Sequence, residues 1–491
     1  MRVYFVQPPW PGPGYGLRSQ NRWPRKRGDK YNRYPILLAY VVTLLKNAGH
    51  QVRYLDSGYL ELDYEQTLQK IGVYNPDIVY IETATSAFLH DIKFAKLLKQ
   101  RFPKVILIAA GTHVSYFPEK SLEDAPIDIV IKGEFDLPSL NAVNALQEGG
   151  DLSGVLGIAY RDKEGNIKNN PDQPLMKDLD LLPFPDREII PHQYYAEAHV
   201  VNFPFTFIMG GRGCPHSCTY CLWTNIYYAR QFRSRSPDNI CDELEWLIKT
   251  YGIKEVYFDE GTFNVTEKRA IDISRRIVER GIKITWGCNG RVDRVNKEML
   301  HWMKRAGCKI ICYGPESANL ETLKRIKKAI TPEQTVRCFQ LMKGSGIHAH
   351  ANFMIGWPWE AAKDIERTIQ HAVDIKPDSV QFSLVFPIPG TKMYEEAKEK
   401  DWFHEDVLSD WGRFEMSTGP VLKSITSKEE LMNAIAKSHA KFYMRPEYII
   451  KQIFKIKGMK DVKKIVRGAD SVIRGKILYN LGRKKPMISS S

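Results

Sequence analysis

Thr206-Phe207-Ile208-Met209-Gly210-Gly211-Arg212-Gly213-Cys214-Pro215-His216-Ser217-Cys218-Thr219-Tyr220-Cys221 sets an apolar, strand-like run directly before three cysteines spaced C-x3-C-x2-C. Three close thiolates suit a cubane iron–sulfur cluster, whose four irons normally take four cysteines. No fourth cysteine follows at a short interval; the next, Cys241, lies twenty residues on. An iron left open can bind a substrate or cofactor, which points to chemistry rather than to electron storage alone. A zinc site usually wants two pairs of ligands, and His216 lies inside the loop at a spacing that suits zinc poorly. Disulfides compete weakly, because nothing marks the chain as secreted.

Outward from this loop, apolar β-rich runs at 206–209, 255–258, 283–287, 309–313, 349–355 and 379–385 alternate with helical patterns. Thr331-Pro332-Glu333-Gln334 is a capping box with proline at the first helical position, and Ser236-Pro237-Asp238 is a similar start. Six β/α units in series predict a partial (β/α)6 TIM-type barrel, a fold that places its sites at the C-terminal strand ends. Those ends carry the cysteine loop, Asp259-Glu260-Gly261, Asn289-Gly290-Arg291, Gly314-Pro315-Glu316-Ser317, Gly356-Trp357-Pro358 and Pro387-Ile388-Pro389-Gly390. Each is polar or turn-forming, and together they ring one mouth.

Before the barrel, strand-like runs at 3–7, 51–55, 77–82, 105–109 and 128–131 alternate with helices or turns, among them a helix over 36–48 closed by Gly49. This rhythm predicts an α/β, doubly wound (Rossmann-like) parallel sheet, whose ligands bind at the carboxyl ends of the strands. Those ends hold Pro8-Pro9, Thr83 to Ser86, Gly111-Thr112-His113 and Gly133-Glu134. The expected organisation is a sheet domain over 1–145, a linker over 146–200 broken by Pro183-Phe184-Pro185-Asp186, the barrel over 201–395 and a mostly helical region with a basic tail over 396–491.

Length and composition agree with this division. A chain of 491 residues is long for one domain, and 43% hydrophobic with 26% charged residues is ordinary for a folded protein. Eight cysteines at this length give no disulfide framework, and a reducing compartment suits them. The N-terminus lacks the apolar core and cleavage site of a signal peptide. The longest apolar stretch, 36–45, is half of a membrane span. The expected location is cytoplasmic. The net charge of +14 is uneven: residues 451–491 hold twelve Lys or Arg against Asp461 and Asp470, so +10 of it lies there. A nearly balanced body argues against nucleic acid along the whole surface.

With these residues in view, the sequence resembles the radical SAM enzymes, over about residues 1–400 and most specifically over 206–390. The resemblance implies that Cys214, Cys218 and Cys221 hold a [4Fe–4S] cluster whose open iron takes S-adenosylmethionine (SAM). One-electron reduction then yields methionine and a 5′-deoxyadenosyl radical that abstracts hydrogen from an unreactive carbon, with flavodoxin or ferredoxin as electron donor. It further implies that Tyr220 lies near the adenine, that Glu316 and Ser317 lie near the methionine moiety and ribose, and that Gly356 admits the adenine to the backbone. Asn289 and Arg291 would contact ribose or carboxylate. Pro315 departs from the aliphatic residue common at its position.

The N-terminal region resembles the cobalamin-binding domain of one large radical SAM subfamily through Pro8-Pro9, Tyr34 to Tyr40, Ala48-Gly49-His50, Gly111-Thr112-His113 and Gly133-Glu134. Ser86, Gly111, Thr112, His113, Gly133 and Glu134 are then candidate cobalamin contacts. The Asp-x-His-x-x-Gly motif, whose histidine ligates cobalt elsewhere, is absent. The implied reaction is methylation of an unactivated carbon on a small-molecule or lipid-type substrate. Alternatives are cyclisation or another carbon-skeleton change without cobalamin, or a non-catalytic sensor of SAM, cobalamin or redox state.

Several residues keep a second reading. Asp259 and Glu260 serve SAM contact or proton transfer, or merely a turn. His113 reads first as a loop histidine bonded to backbone and second as a cobalt ligand. His348 and His350 share a strand face and line the lumen with or without a catalytic part. Cys288, Cys308, Cys312 and Cys338 read as core thiols, with Cys308 at a helix end. Trp357 and Trp359 flank Pro358 and either line a substrate cavity or pack beneath their loop. Arg22-Trp23-Pro24-Arg25-Lys26-Arg27 reads as a solvated basic loop or a cover for the cobalamin edge. Apolar spacings of three and four among the basic residues of 446–482 suit a helix on an anionic membrane surface, giving a peripheral membrane contact. They equally suit a helix packed on the barrel.

Overall fold

In a computed structural model, residues 1–11, 15–16, 18, 26–27, 32–197, 199–405, 407–408, 410–414 and 419–454 are described. The readings placed on 22–25 and on the tail from 455 onward lie outside them.

The first sheet has seven strands: β1 (Arg2–Gln7), β2 (Gln51–Asp56), β3 (Ile78–Thr83), β4 (Ile106–Gly111), β5 (Ile129–Ile131), β6 (Ile158–Arg161) and β7 (Ile167–Asn169), in the spatial order β2-β1-β3-β4-β5-β6-β7. The first five run parallel; β6 and β7 are antiparallel additions. These two were not legible as strands. They are short, and β7 carries the polar residues Lys168 and Asn169 on a largely exposed edge. β3 is buried along its whole length, as a parallel strand covered on both faces must be. The helix Ile36–Asn47 covers one face and ends near Gly49, which sits at φ 88°.

The second sheet is wholly parallel and in sequence order: β8 (Phe205–Ile208), β9 (Glu255–Phe258), β10 (Thr285–Gly290), β11 (Cys308–Glu316), β12 (His348–Ile355) and β13 (Ser379–Leu384). This is the partial barrel. Cys308 opens β11 rather than ending a helix, because Gly307 has already turned the chain at φ 94°. Both predicted helix starts carry caps: the Thr331 box is reciprocal, and Ser236 Oγ accepts from Asn239 N–H at 3.1 Å.

A six-stranded barrel leaves two edges, and unpaired strand edges need cover. At β13 the helix Lys428–Tyr443 supplies it. The Tyr443 hydroxyl accepts from Val380 N–H at 2.9 Å and donates to Val380 C=O at 2.7 Å, taking the place of a neighbouring strand. At β8 the buried Arg187 guanidinium donates to Phe207 C=O at 2.7 Å. The two sheets share a core: Val3, Phe5 and the helix Ile36–Asn47 pack in one cluster with Phe205, Phe207, Trp223, Tyr227 and Tyr257. Among the described residues no helix is long and apolar enough to cross a membrane.

Candidate active site

The cysteine loop leaves β8 through Gly213, whose φ of 87° few residues other than glycine adopt. A Cβ there would stand 1.8 Å from Gln231 O, so the turn that presents Cys214 admits no side chain. The loop is pinned from both sides. Thr219 N–H donates to Ile326 O at 3.0 Å, and Thr219 C=O accepts from Met393 N–H at 3.0 Å. The Asn225 side-chain amide donates to Cys221 C=O at 2.5 Å from a short π-helix, Trp223–Tyr227. Cys214 rests on the loop after β9, its Sγ 3.8 Å from Thr262 Oγ1.

All three cysteines stand outside any disulfide; Cys214 and Cys218 are buried and Cys221 half-buried. Burial pushes the Cys218 thiol up, and the positive charges of Lys328 and Arg291 act against it. Those cations are what three thiolates gathered in a dry loop require. Among the described residues no three His, Cys, Asp or Glu side chains converge on a single-ion site. A cluster several irons wide draws its thiolates from farther apart, so three reduced cysteines on one pinned loop with cations beside them fit it.

Lys328 is the centre of the site and had no signal in the sequence. Its ammonium lies 2.8 Å from Glu316 Oε1 and 3.2 Å from the Tyr220 hydroxyl. Glu316 reaches it from the left-handed region, at φ 66°, an uncommon conformation for a residue with a side chain. Gly314 leaves the room: a Cβ there would fall 2.3 Å from Glu316 Oε1. Arg291 pairs with Asp293 at 2.8 Å and donates to Lys328 C=O at 3.0 Å. Cys218, Tyr220, Arg291 and Glu316 are thus brought together around Lys328.

The other expected SAM residues have partners of their own at the strand ends. Asn289 accepts from the Tyr257 hydroxyl at 3.0 Å and donates to Glu260 C=O at 2.9 Å, fixing the loop that seats Cys214. Asp259 is buried and paired at 2.8 Å with Arg33, a residue from before the helix Ile36–Asn47. Arg33 also holds Glu197 at 2.6 Å, so the first domain reaches into the barrel here. Glu260 meets Arg269 at 3.0 Å, and burial pushes its carboxyl up to about 7 against that pull. The Ser317 hydroxyl bonds Glu360 and Thr368, both at 3.2 Å, on the helix side of the strand end. Gly356 sits at φ 86°, and a Cβ on it would meet Leu431 Cδ2 at 3.1 Å. Trp357 is fully buried and stacks on Trp359, which packs beneath the loop.

At the carboxyl ends of the first sheet, Gly111 is at φ 130° and a Cβ would collide with Thr83 O at 2.0 Å. Ser86 is buried and its hydroxyl has no partner among the described residues, an orphaned polar atom that suits a bound polar group. Thr112, directly after Gly111, is buried, and Gly133 N–H donates to Ser115 Oγ at 3.2 Å. Glu134 is committed across the domains, bidentate to Arg233 at 3.0 and 2.5 Å, while Arg212 pairs with Asp136. The arginine inside the Gly211-Arg212-Gly213 run was a readable signal for this latch.

His113 is bonded to a side chain, Thr85 Oγ1 at 3.3 Å, rather than to backbone. Its ring lies among Phe88, Phe117 and Trp411 at centroid distances of 3.9, 5.2 and 5.2 Å. Burial pushes the imidazole down to about 3. The unfolded chain therefore binds a proton near the ordinary 6.5 that the folded ring refuses, so stability is lost as pH falls from there toward 3. Between pH 7 and 5 that costs about 2 kcal/mol. His113→Phe is expected to remove this share of the decline in urea unfolding of the cobalamin-free protein. An unchanged decline would contradict the neutral ring.

The two sets of strand ends meet at Gly390. A Cβ on Gly390, in the loop after β13, would touch Ile226 Cδ1 at 2.6 Å and Tyr116 Cδ2 at 3.1 Å. Ile226 belongs to the π-helix after Cys221, and Tyr116 ends the short helix Thr112–Tyr116 after β4.

A family model described as the radical SAM superfamily matches residues 208–372, and a B12-binding domain model matches residues 30–142. An uncharacterized methyltransferase of Pyrococcus horikoshii is 34% identical, covering 88% of this chain and 93% of its own length. The anaerobic magnesium-protoporphyrin IX monomethyl ester cyclase of Rubrivivax gelatinosus is 27% identical over 91% of this chain and 78% of that one. Among solved structures, the cobalamin-dependent SAM radical enzyme OxsB, with aqua-cobalamin and SAM bound, has the same fold at a TM-score of 0.70 and 17% identity, over 98% of this chain and 72% of OxsB. The chain belongs to the radical SAM superfamily, in the group that carries an N-terminal B12-binding domain. It is an enzyme, with a [4Fe–4S] cluster, SAM and cobalamin as the cofactors that this membership brings.

Proposed function

We propose that the protein is a cobalamin-dependent radical SAM C-methyltransferase that methylates an unactivated carbon of a lipid or secondary-metabolite-type molecule. The observation that carries this reading is the contact of the π-helix after the cysteine loop with the short helix after β4, both of which border Gly390, so that the two sets of strand ends face each other where a corrinoid would lie. When bound, the cluster and SAM supply a 5′-deoxyadenosyl radical and cobalamin supplies the methyl group; the chain's work is holding them and keeping water out. Cys214, Cys218 and Cys221 would hold the cluster. Tyr220, Arg291 and Glu316, gathered around Lys328, would hold SAM, with Asp259, Asn289, Ser317 and Gly356 shaping the strand ends around it. Ser86, Gly111, Thr112 and Gly133 would line the corrinoid, His113 would support it from the aromatic layer, and Glu134 would lock the two domains about it.

Flavodoxin or ferredoxin is the proposed electron donor, and peripheral contact with a membrane accords with a lipid-type substrate. Growth with cobalamin followed by anaerobic purification tests the reading: about one corrinoid per chain is expected by absorbance. Corrinoid-free protein that still cleaves SAM would favour cyclisation or another carbon-skeleton change without cobalamin.

A further inference from the structure

The chain's last described element is the helix Pro446–Ile453, and its two faces differ. One face is fastened to the barrel. Tyr448 packs on Phe442 and Tyr443 at 5.5 and 5.2 Å, Lys451 pairs with Asp378 at 3.0 Å, and Glu447 lies 3.4 Å from Lys376. Lys376 and Asp378 precede β13, so the helix is held at the N-terminal end of the barrel strands, away from the cysteine loop. The other face is apolar and open: Ile449, Ile450, Ile453 and Phe454 are 45%, 52%, 58% and 85% exposed. Four large apolar side chains side by side on one helix are more than the scattered exposed hydrophobics of an ordinary surface.

We propose that this face is a docking surface for an anionic lipid bilayer. It deepens the lipid-type reading above but does not depend on catalysis. What selects a bilayer is the chain that continues from it. Beyond Phe454 the sequence runs for 37 more residues, and the stretch 451–491 carries twelve Lys or Arg against two Asp. Apolar residues recur through it at Ile456, Val462, Ile465, Val466, Ile473, Ile477 and Leu478, interleaved with that charge. Apolar area that enters the headgroup boundary and cations that meet anionic lipid act together, each basic residue near the surface adding its own attraction. A second copy of the chain would bring the same +10 against itself, and the described helix already has its barrel contact on the opposite face. The bilayer would then lie at the end of the barrel opposite the cluster.

The test is co-sedimentation of the full-length protein with phosphatidylcholine vesicles, with and without about a third phosphatidylserine. Binding is expected to be at least about tenfold stronger to the anionic vesicles and to weaken as salt is raised. Ile450→Asp/Ile453→Asp should lower it about tenfold or more, with unchanged thermal unfolding because both side chains are exposed, and truncation after Phe454 should lower it by a similar factor. Equal binding to both vesicles, or binding unaffected by the substitutions, overturns the proposal. So does a concentration-dependent dimer that Ile450→Asp/Ile453→Asp dissolves, which would make the occupant a second copy. Corrinoid content and SAM cleavage stay as they are in every arm, so failure here is separable from failure of the methyltransferase reading.

Discussion

Cys218→Ala is expected to abolish reductive cleavage of SAM. The substitution removes the middle thiolate of the C-x3-C-x2-C loop, and two remaining cysteines leave the cluster short of the three ligands the open-iron arrangement needs. The fold should survive. The loop is held by backbone bonds from Thr219 to Ile326 and Met393 and by the Asn225 amide, none of which involves the Cys218 side chain. Losing one small buried side chain is therefore expected to cost about 1 kcal/mol of apoprotein stability. Iron content and 5′-deoxyadenosine formation are the readouts. Wild-type cleavage in this variant would refute the ligand assignment.

The second large effect is expected at Lys328. Lys328→Met strips the cation from Glu316, and each of these side chains is only about one-tenth exposed, at 11% and 9%. A buried carboxylate left without its cation costs about 3–5 kcal/mol, most of it desolvation. Adding Glu316→Gln should recover much of that loss, because the pair is then replaced on both sides. Denaturant unfolding of the apoprotein reads both numbers without any cofactor. A Lys328→Met loss below about 1 kcal/mol would mean that Glu316 is reached by water, and the dry site drawn here would be wrong. SAM affinity should fall in the single variant as well, since Tyr220 and Cys218 face the same ammonium.

The contrast between these two residues explains what the sequence discloses. Cys218 is legible because its chemistry is local: three thiols within eight residues have few uses. The barrel around it is legible for a related reason, since each β/α unit writes its own periodicity and each strand end its own turn residues. Lys328 depends on tertiary placement. It follows Lys327 after the helix Leu320–Arg325, where two lysines read as solvated charge, and only the return of the chain past β11 puts it against Glu316. Arg33 is similar: its partner Asp259 is 226 residues away, a pairing no window of sequence contains. Asp259 and Glu134 are expected as cofactor contacts from their strand-end positions, and in the structure each also holds an arginine distant in sequence, Arg33 and Arg233. Strand ends mark where a site lies better than they say which side chain does what.

The most direct measurement of the central claim supplies the anaerobically reconstituted, reduced protein with SAM carrying a labelled methyl group. The account predicts that label appears on bound corrinoid and that 5′-deoxyadenosine forms, and that Cys218→Ala loses the 5′-deoxyadenosine. A reduced, corrinoid-loaded protein that neither labels its corrinoid nor cleaves SAM would contradict it.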